Sequence, residues 1–280
     1  MTDFFVYDVF SKVPFGGNQL AVVLGADRLP EADLQRIATE FNFSETSFIF
    51  PPENSAHTAR VRIFTPTMEI PFAGHPVVGS AVALTELGHG SVMTLELGVG
   101  PMLCKVSAGT AQFTTSEPFN ILATPEIALV ASALGTDVKH IIIHNHPPVL
   151  ATLGLAFTIT ELDSVKALSN LSPDIRAFRT GRDKHPTSLD FAQFAYVRDQ
   201  GSIRARMFAP LDNIPEDPAT GSACATLGAL IAQLENCDQK FRISQGEEMG
   251  RPSIIDVSTS GTAITVSGAA KRVMKGKLVY

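Results

Sequence analysis

The groups of this chain that could do acid–base chemistry stand at Glu45 and in two further clusters, His75 with Ser80 and Glu216 with Asp217, Thr220 and Ser222, each at the expected start of an apolar helix. Glu45 stands in Ser44-Glu45-Thr46, at the mouth of a strongly apolar stretch over 46–50. Alone, it reads as a solvated loop carboxylate. Set against apolar groups, burial would raise its pKa and make it a usable proton donor and acceptor. His75 follows Gly74, and Asp217 is followed by Pro218, Ala219, Thr220, Gly221 and Ser222. Asn18 ends the turn Pro14-Phe15-Gly16-Gly17-Asn18 and reads either as a turn former or as a group reaching the same chemistry.

Two copies of one pattern position these groups. Arg60-Val61-Arg62-Ile63-Phe64-Thr65-Pro66 recurs as Arg204-Ala205-Arg206-Met207-Phe208-Ala209-Pro210, an offset of 144 that also relates Ile70 to Ile214 and Pro71 to Pro215. Gly79, Ser80, Ala81 and Ala83 then match Gly221, Ser222, Ala223 and Ala225 at an offset of 142. A single repeat of half the chain length is no solenoid, which needs at least ~3 short units. It predicts two homologous halves related by a pseudo-twofold axis. In each copy Arg-x-Arg-apolar-Phe has the period of a strand with one wet face. A Pro-containing loop follows, then a helix with Pro76 or Pro218 near its first turn. Residues 77–87 and 223–234 are apolar nearly all round, as helices in an interior are. Their N-terminal ends offer unpaired N–H groups and the positive end of the helix dipole, suited to a carboxylate. Facing halves would bring both ends into one cleft.

The rest of the chain supplies strands over 4–10, 19–24, 93–97, 102–106, 110–115, 156–159, 191–197, 241–244, 253–258, 263–267 and 275–280. Helices are expected over 31–40, 124–134 and 163–171, a strand entering a turn over 141–148, and a linker over 116–120. His140, His144 and His146 invite a metal reading, but no carboxylate or Cys accompanies them in sequence, and they read as surface or turn histidines. Hydrophobic residues make up 45% and charged residues 18%, the composition of a protein with ample core. A net charge of −6 without a concentrated basic face argues against nucleic acid or an anionic membrane as partner. The start lacks the pattern of a signal peptide, no run reaches the ~20 apolar residues of a membrane span, and three cysteines have no metal-like spacing. Cytoplasmic is the expectation.

Three function classes fit. One is a cofactor-free isomerase working by a single carboxylate. Another is a two-base amino-acid epimerase or racemase, which needs a thiol from each half, whereas Cys224 falls inside an apolar helix. The third is a small-molecule binding protein without catalysis.

Gly17-Asn18, Ser44-Glu45, Ala73-Gly74-His75-Pro76 and Glu216-Asp217-Pro218-Ala219-Thr220-Gly221-Ser222-Ala223 resemble the signatures of the PhzF-like isomerases of phenazine biosynthesis, over essentially the whole chain. The resemblance implies an α+β, diaminopimelate epimerase-like fold: two pseudo-symmetric halves, each a curled, mostly antiparallel sheet around a central helix. The first half would be 1–116 completed by a C-terminal strand 268–280, the second 117–267. It implies Glu45 as general acid/base with His75 and Asp217 as catalytic partners. Asn18, Gly74, Gly221 and Ser222 would bind the substrate, a small carboxylate-bearing molecule, in the inter-domain cleft. It further implies no cofactor, no metal and a homodimer. Gln19 departs from the pattern, which usually has Pro there.

Overall fold

The computed structural model describes every residue except Gln200, in two units: Met1–Thr115 with Thr265–Tyr280, and Ser116–Ile264. In the first unit, β1 (Thr2–Val9) and β2 (Asn18–Val23) form an antiparallel hairpin. Its turn depends on Gly17, whose φ is +65° and where a Cβ would press into the Val9 carbonyl oxygen. Then come α1 (Glu31–Phe41), β3 (Glu45–Phe50), β4 (Ala59–Phe64), β5 (Glu69–Ile70), α2 (Gly74–Glu86), β6 (Val92–Leu97), β7 (Gly100–Ser107) and β8 (Thr110–Thr115). β2–β3 and β4–β6 are parallel; β3–β4, β4–β5, β6–β7 and β7–β8 are antiparallel.

Period two sorts β3 between two layers. Phe48 turns to the outer cluster with Leu34, Ile37 and Ala38 of α1. Glu45, an odd number of residues away, points to the opposite face, toward α2. That helix is buried from Gly74 to Leu84 and packs against β1, β2, β3, β7 and β8, as its nearly all-apolar circumference requires. Gly79 permits the closest approach, since a Cβ there would lie 2.5 Å from Leu20 and 2.8 Å from Val9.

The second unit holds β9 (Asn120–Ala123), α3 (Ile127–Leu134), β10 (Val149–Thr152), β11 (Ala156–Glu161), α4 (Val165–Ser169), α5 (Ile175–Lys184), β12 (Gln193–Asp199), β13 (Ser202–Ala209), β14 (Ile214–Asp217), α6 (Gly221–Glu235), β15 (Lys240–Gln245) and β16 (Ser253–Ser260). Its pairing repeats the first unit: β11–β12 and β13–β15 are parallel, while β12–β13, β13–β14 and β15–β16 are antiparallel. Leu134, Leu168, Phe178, Phe191 and Phe208 form its outer core, and α6 packs on β11 and β16. The last strand, β17 (Ala263–Leu278), begins where the second unit ends and pairs antiparallel with β1 of the first. No helix among the described residues is long and apolar enough to cross a membrane.

Several local expectations change. Residues 141–148 form no strand, only an isolated bridge from Ile141 to Leu162, because the Pro147-Pro148 pair and the turn before it cannot join a ladder. The linker region runs into β9, which pairs with β10. Residues 263–267 and 275–278 belong to one strand of 16 residues rather than two, and Val279 and Tyr280 lie beyond its end. α5 has no counterpart in the sequence reading, although Asp174 caps it by accepting the Arg176 N–H at 2.8 Å.

The symmetry also breaks where the site residues lie. By the repeat, His75-Pro76-Val77-Val78 corresponds to Asp217-Pro218-Ala219-Thr220. The first segment is the opening turn of α2, whereas the second ends β14 and stays outside α6. Pro218 therefore precedes its helix instead of sitting in the first turn.

Candidate active site

β3 starts at Glu45, and the pleat directs its carboxylate at the first turn of α2. There Glu45 Oε2 is 3.3 Å from His75 Nδ1, and Asn18 Nδ2 is 3.4 Å from the same nitrogen. Asn18 opens β2 and is 1% exposed; the Glu45 side chain is 12% exposed and that of His75 4%. Gly74, the first residue of α2, follows the extended Ala73, which has no side-chain oxygen to cap the helix. Four of the sequence candidates, Asn18, Glu45, Gly74 and His75, thus belong to one unit and adjoin one another.

Burial decides the state of the imidazole. Desolvation lowers the His75 pKa to about 3, against a smaller opposite effect from a backbone hydrogen bond with Gln19. The ring is therefore neutral near pH 7, with one donor and one acceptor nitrogen. Nδ1 faces Glu45 and Asn18. A neutral imidazole so placed can exchange a hydrogen bond with a bound molecule without contributing a positive charge that would hold Glu45 permanently ionised.

Asp217, Gly221 and Ser222 belong to the other unit. Asp217 is 5% exposed and accepts a hydrogen bond from the Thr220 hydroxyl at 2.5 Å. Gly221 is the first residue of α6, and no side chain caps that helix either. Thr220, named in the sequence only as a polar residue of the helix end, is a direct partner of Asp217. Gln245, at the end of β15, carries no motif in the sequence; it lies 28 residues from Asp217 and 25 from Thr220, too far for a local signal. Arg206 was read on a wet strand face but is 7% exposed. Its guanidinium grips both oxygens of Glu216 at 2.8 Å, securing the strand that ends in Asp217.

Cys224 is fully buried, and burial pushes its thiol well above the usual value, so it supplies no thiolate base. Of the three histidines read as surface or turn residues, His140 and His144 are so placed and His146 is buried. His140 contacts Asp163 at 2.8 Å, and His146 is 4% exposed with Nε2 2.9 Å from the Tyr196 hydroxyl, which donates to Glu161 at 3.0 Å. Carboxylates do accompany them, brought from β11 and its neighbourhood. No group of three or more His, Cys, Asp or Glu among the described residues is arranged to hold a metal ion.

Comparison with known proteins adds the remaining information. The family described as phenazine biosynthesis-like protein (PhzC-PhzF) matches residues 7–276. The chain is 36% identical over 299 residues to a protein of Mesorhizobium japonicum described as an uncharacterized isomerase, covering 99% of this chain and 98% of that one. It is 33% identical over 292 residues to the trans-2,3-dihydro-3-hydroxyanthranilate isomerase of Pseudomonas fluorescens, with 100% of each chain covered. The solved PhzF-family phenazine biosynthesis protein of Bacillus anthracis is similar at a TM-score of 0.87 and 24% identity, covering 100% of this chain and 99% of that one. At that identity the structural likeness speaks for the fold alone, which is the α+β, diaminopimelate epimerase-like class.

Proposed function

The chain belongs to the phenazine biosynthesis-like protein family and is an isomerase, and from that premise we propose that it moves a proton within a small cyclic, carboxylate-bearing amino or hydroxy acid, with Glu45 as the general acid/base. The trans-2,3-dihydro-3-hydroxyanthranilate on which the Pseudomonas fluorescens relative is named to act is the first substrate to test. The observation that carries this reading is the buried contact of Glu45 Oε2 with His75 Nδ1 at 3.3 Å beside Asn18. In the proposed step the Glu45 carboxylate takes a proton from one ring carbon. The electron pair left behind shifts the double bonds, and the same carboxyl returns the proton to another carbon. Nothing is oxidised overall, and one group serves both transfers.

His75 would hold the substrate through its neutral ring, and Asp217 would bind or polarise a polar substituent. The amides at Gly74 and Gly221, with Ser222 and Asn18, would take the substrate carboxylate and its neighbours. Proton transfer by a positioned side chain is worth about 10²–10⁴ in rate, and fixing the substrate between donors adds to that.

The test is proton exchange followed by NMR in D₂O, with trans-2,3-dihydro-3-hydroxyanthranilate and a panel of small cyclic amino and hydroxy acids. Deuterium entering a ring carbon as the double bonds shift, and falling by about 10²-fold or more in Glu45→Gln while ligand binding persists, is the expected result. Near wild-type turnover in Glu45→Gln removes Glu45 from the mechanism. Exchange confined to an α-carbon replaces the isomerisation with epimerisation.

A further inference from the structure

We propose that Gln245 is a positioning residue for Asp217: a buried amide that holds residues 217–220 outside the helix and orders a one-way chain of hydrogen bonds from amide to Thr220 hydroxyl to Asp217 carboxylate. It deepens the functional reading above, on which the role of Asp217 in the reaction rests.

Gln245 is 1% exposed, and both ends of its amide are engaged. Nε2 donates to the Asp217 carbonyl at 2.7 Å and to the Thr220 hydroxyl at 3.0 Å, while Oε1 accepts the Thr220 N–H at 3.1 Å. In α2 the equivalent backbone groups, on His75 and Val78, lie inside the helix and are available to its own ladder. In the second unit the helix starts later, and the Asp217 carbonyl and Thr220 N–H need other partners if they are not to be buried unpaired. Gln245 supplies both at once.

The other copy shows what is specific here. β4 and β6 pair with Arg60 beside Glu96, and β13 and β15 with Arg204 beside Ser244. Because the repeat equates Arg60 with Arg204, Gln245 corresponds to Leu97 and Gly246 to Gly98. The copy with a helical His75 has a buried leucine at this position, and the copy with an extended Asp217 has a buried amide. Gly246, with φ +77°, lets β15 end against the segment it holds; a Cβ there would lie 2.6 Å from the Pro218 carbonyl oxygen.

Direction follows from chemistry. A side-chain NH₂ can only donate, so toward Gln245 the Thr220 hydroxyl acts as an acceptor. Its single hydrogen is then free for Asp217 Oδ2, which it reaches at 2.5 Å. The chain favours an ionised, fixed carboxylate at Asp217. A carboxylate at position 245 would reverse the hydroxyl and set two acids facing each other across it.

The experiment compares Gln245→Glu, Gln245→Leu, Thr220→Ser and Thr220→Val with the wild type by two readouts. The first, independent of any substrate, is the titration of the Asp217 carboxyl carbon by ¹³C NMR. The second is the pH profile of kcat and KM with trans-2,3-dihydro-3-hydroxyanthranilate. In Gln245→Glu the Asp217 titration should move up by about one pH unit or more, and the acid limb of the kcat profile should move up by the same amount while KM changes less. Thr220→Ser should behave as wild type, and Thr220→Val should reproduce an upward shift. That serine–valine pair decides the matter if the Gln245 variants do not fold. An Asp217 titration that is the same in wild type, Gln245→Glu and Thr220→Val overturns the proposal, as does Thr220→Ser shifting as far as Thr220→Val. Wild type inactive on every compound, or Asp217→Asn as active as wild type, counts against the functional reading instead, and the carboxyl titration still decides whether Gln245 governs Asp217.

Discussion

Replacing Arg206 by Met keeps a long apolar stem and removes the guanidinium. The structure indicates what that should cost. Nε and Nη2 bind the two oxygens of Glu216 at 2.8 Å, Nη1 donates to the carbonyls of Leu168, Ser169 and Leu171 at 3.0, 3.2 and 3.3 Å, and the group lies 4.8 Å over the Phe208 ring. The side chain of Arg206 is 8% exposed and that of Glu216 17%. Removing one member of a buried ion pair leaves the other charge without compensation, typically about 3–5 kcal/mol. The three carbonyls at the end of α4 can recruit water in part, so they extend the loss only modestly. Arg206→Met is therefore expected to lower the unfolding free energy by about 3 kcal/mol or more, and Arg206→Lys by roughly half as much, since lysine keeps the charge but not the fork. Arg62 provides the control. It holds Glu31 and Glu69, but those side chains are 72% and 42% exposed, and water can replace the arginine. Arg62→Met should cost roughly 1 kcal/mol. Urea unfolding followed by far-ultraviolet circular dichroism and by tyrosine fluorescence, which no tryptophan obscures, gives the comparison; coincident curves justify a two-state treatment. Equal losses in Arg206→Met and Arg62→Met, or a loss under ~1 kcal/mol in the former, would refute the reasoning from burial.

Because burial holds His75 near a pKa of about 3, well below an unfolded value of roughly 6.5, the unfolded chain binds the extra proton first. Stability from this group is fully present above about pH 6.5 and is lost as the pH falls toward 3, with a slope of up to ~1.4 kcal/mol per unit. His75→Gln should flatten that part of the stability profile, and an unchanged slope in unfolding at pH 7, 5.5 and 4.5 would place the titration elsewhere. Gly17→Ala should destabilise by about 1–3 kcal/mol, since alanine resists the positive φ and its Cβ would meet the Val9 carbonyl. Thermal unfolding within a degree of wild type would show that the turn relaxes freely.

Much of the architecture was legible because it is written in local periods. The two Arg-x-Arg-apolar-Phe strands, the all-apolar α2 and α6 and the Gly-rich turn before Asn18 each depend on neighbours a few residues away, and the repeat doubles every such signal. α5 was also legible in principle, through the Pro173-Asp174 start and the burial of only Ala177, Phe178 and Gly181 on one face. β17 was not. Its centre, Gly268-Ala269-Ala270-Lys271-Arg272, has no strong strand propensity, and pairing with β1, with a bulge between Val6 and Tyr7, overrides it.

The site divides in the same way. The sequence by itself identified Glu45, His75 and Asp217 as residue types in motifs. It could not say that Asn18, Glu45 and His75 adjoin, since Asn18 and His75 are 57 positions apart and only the curl of the sheet around α2 brings the three together. Nor could it show that the histidine is neutral, because its pKa is set by burial, a property of the packed surroundings and not of the motif. The asymmetry between a helical His75 and an extended Asp217 was likewise invisible in two segments that align residue for residue. Tertiary structure decided it: with Leu97 in one copy and Gln245 in the other, only the second backbone segment has a buried amide to satisfy it outside a helix.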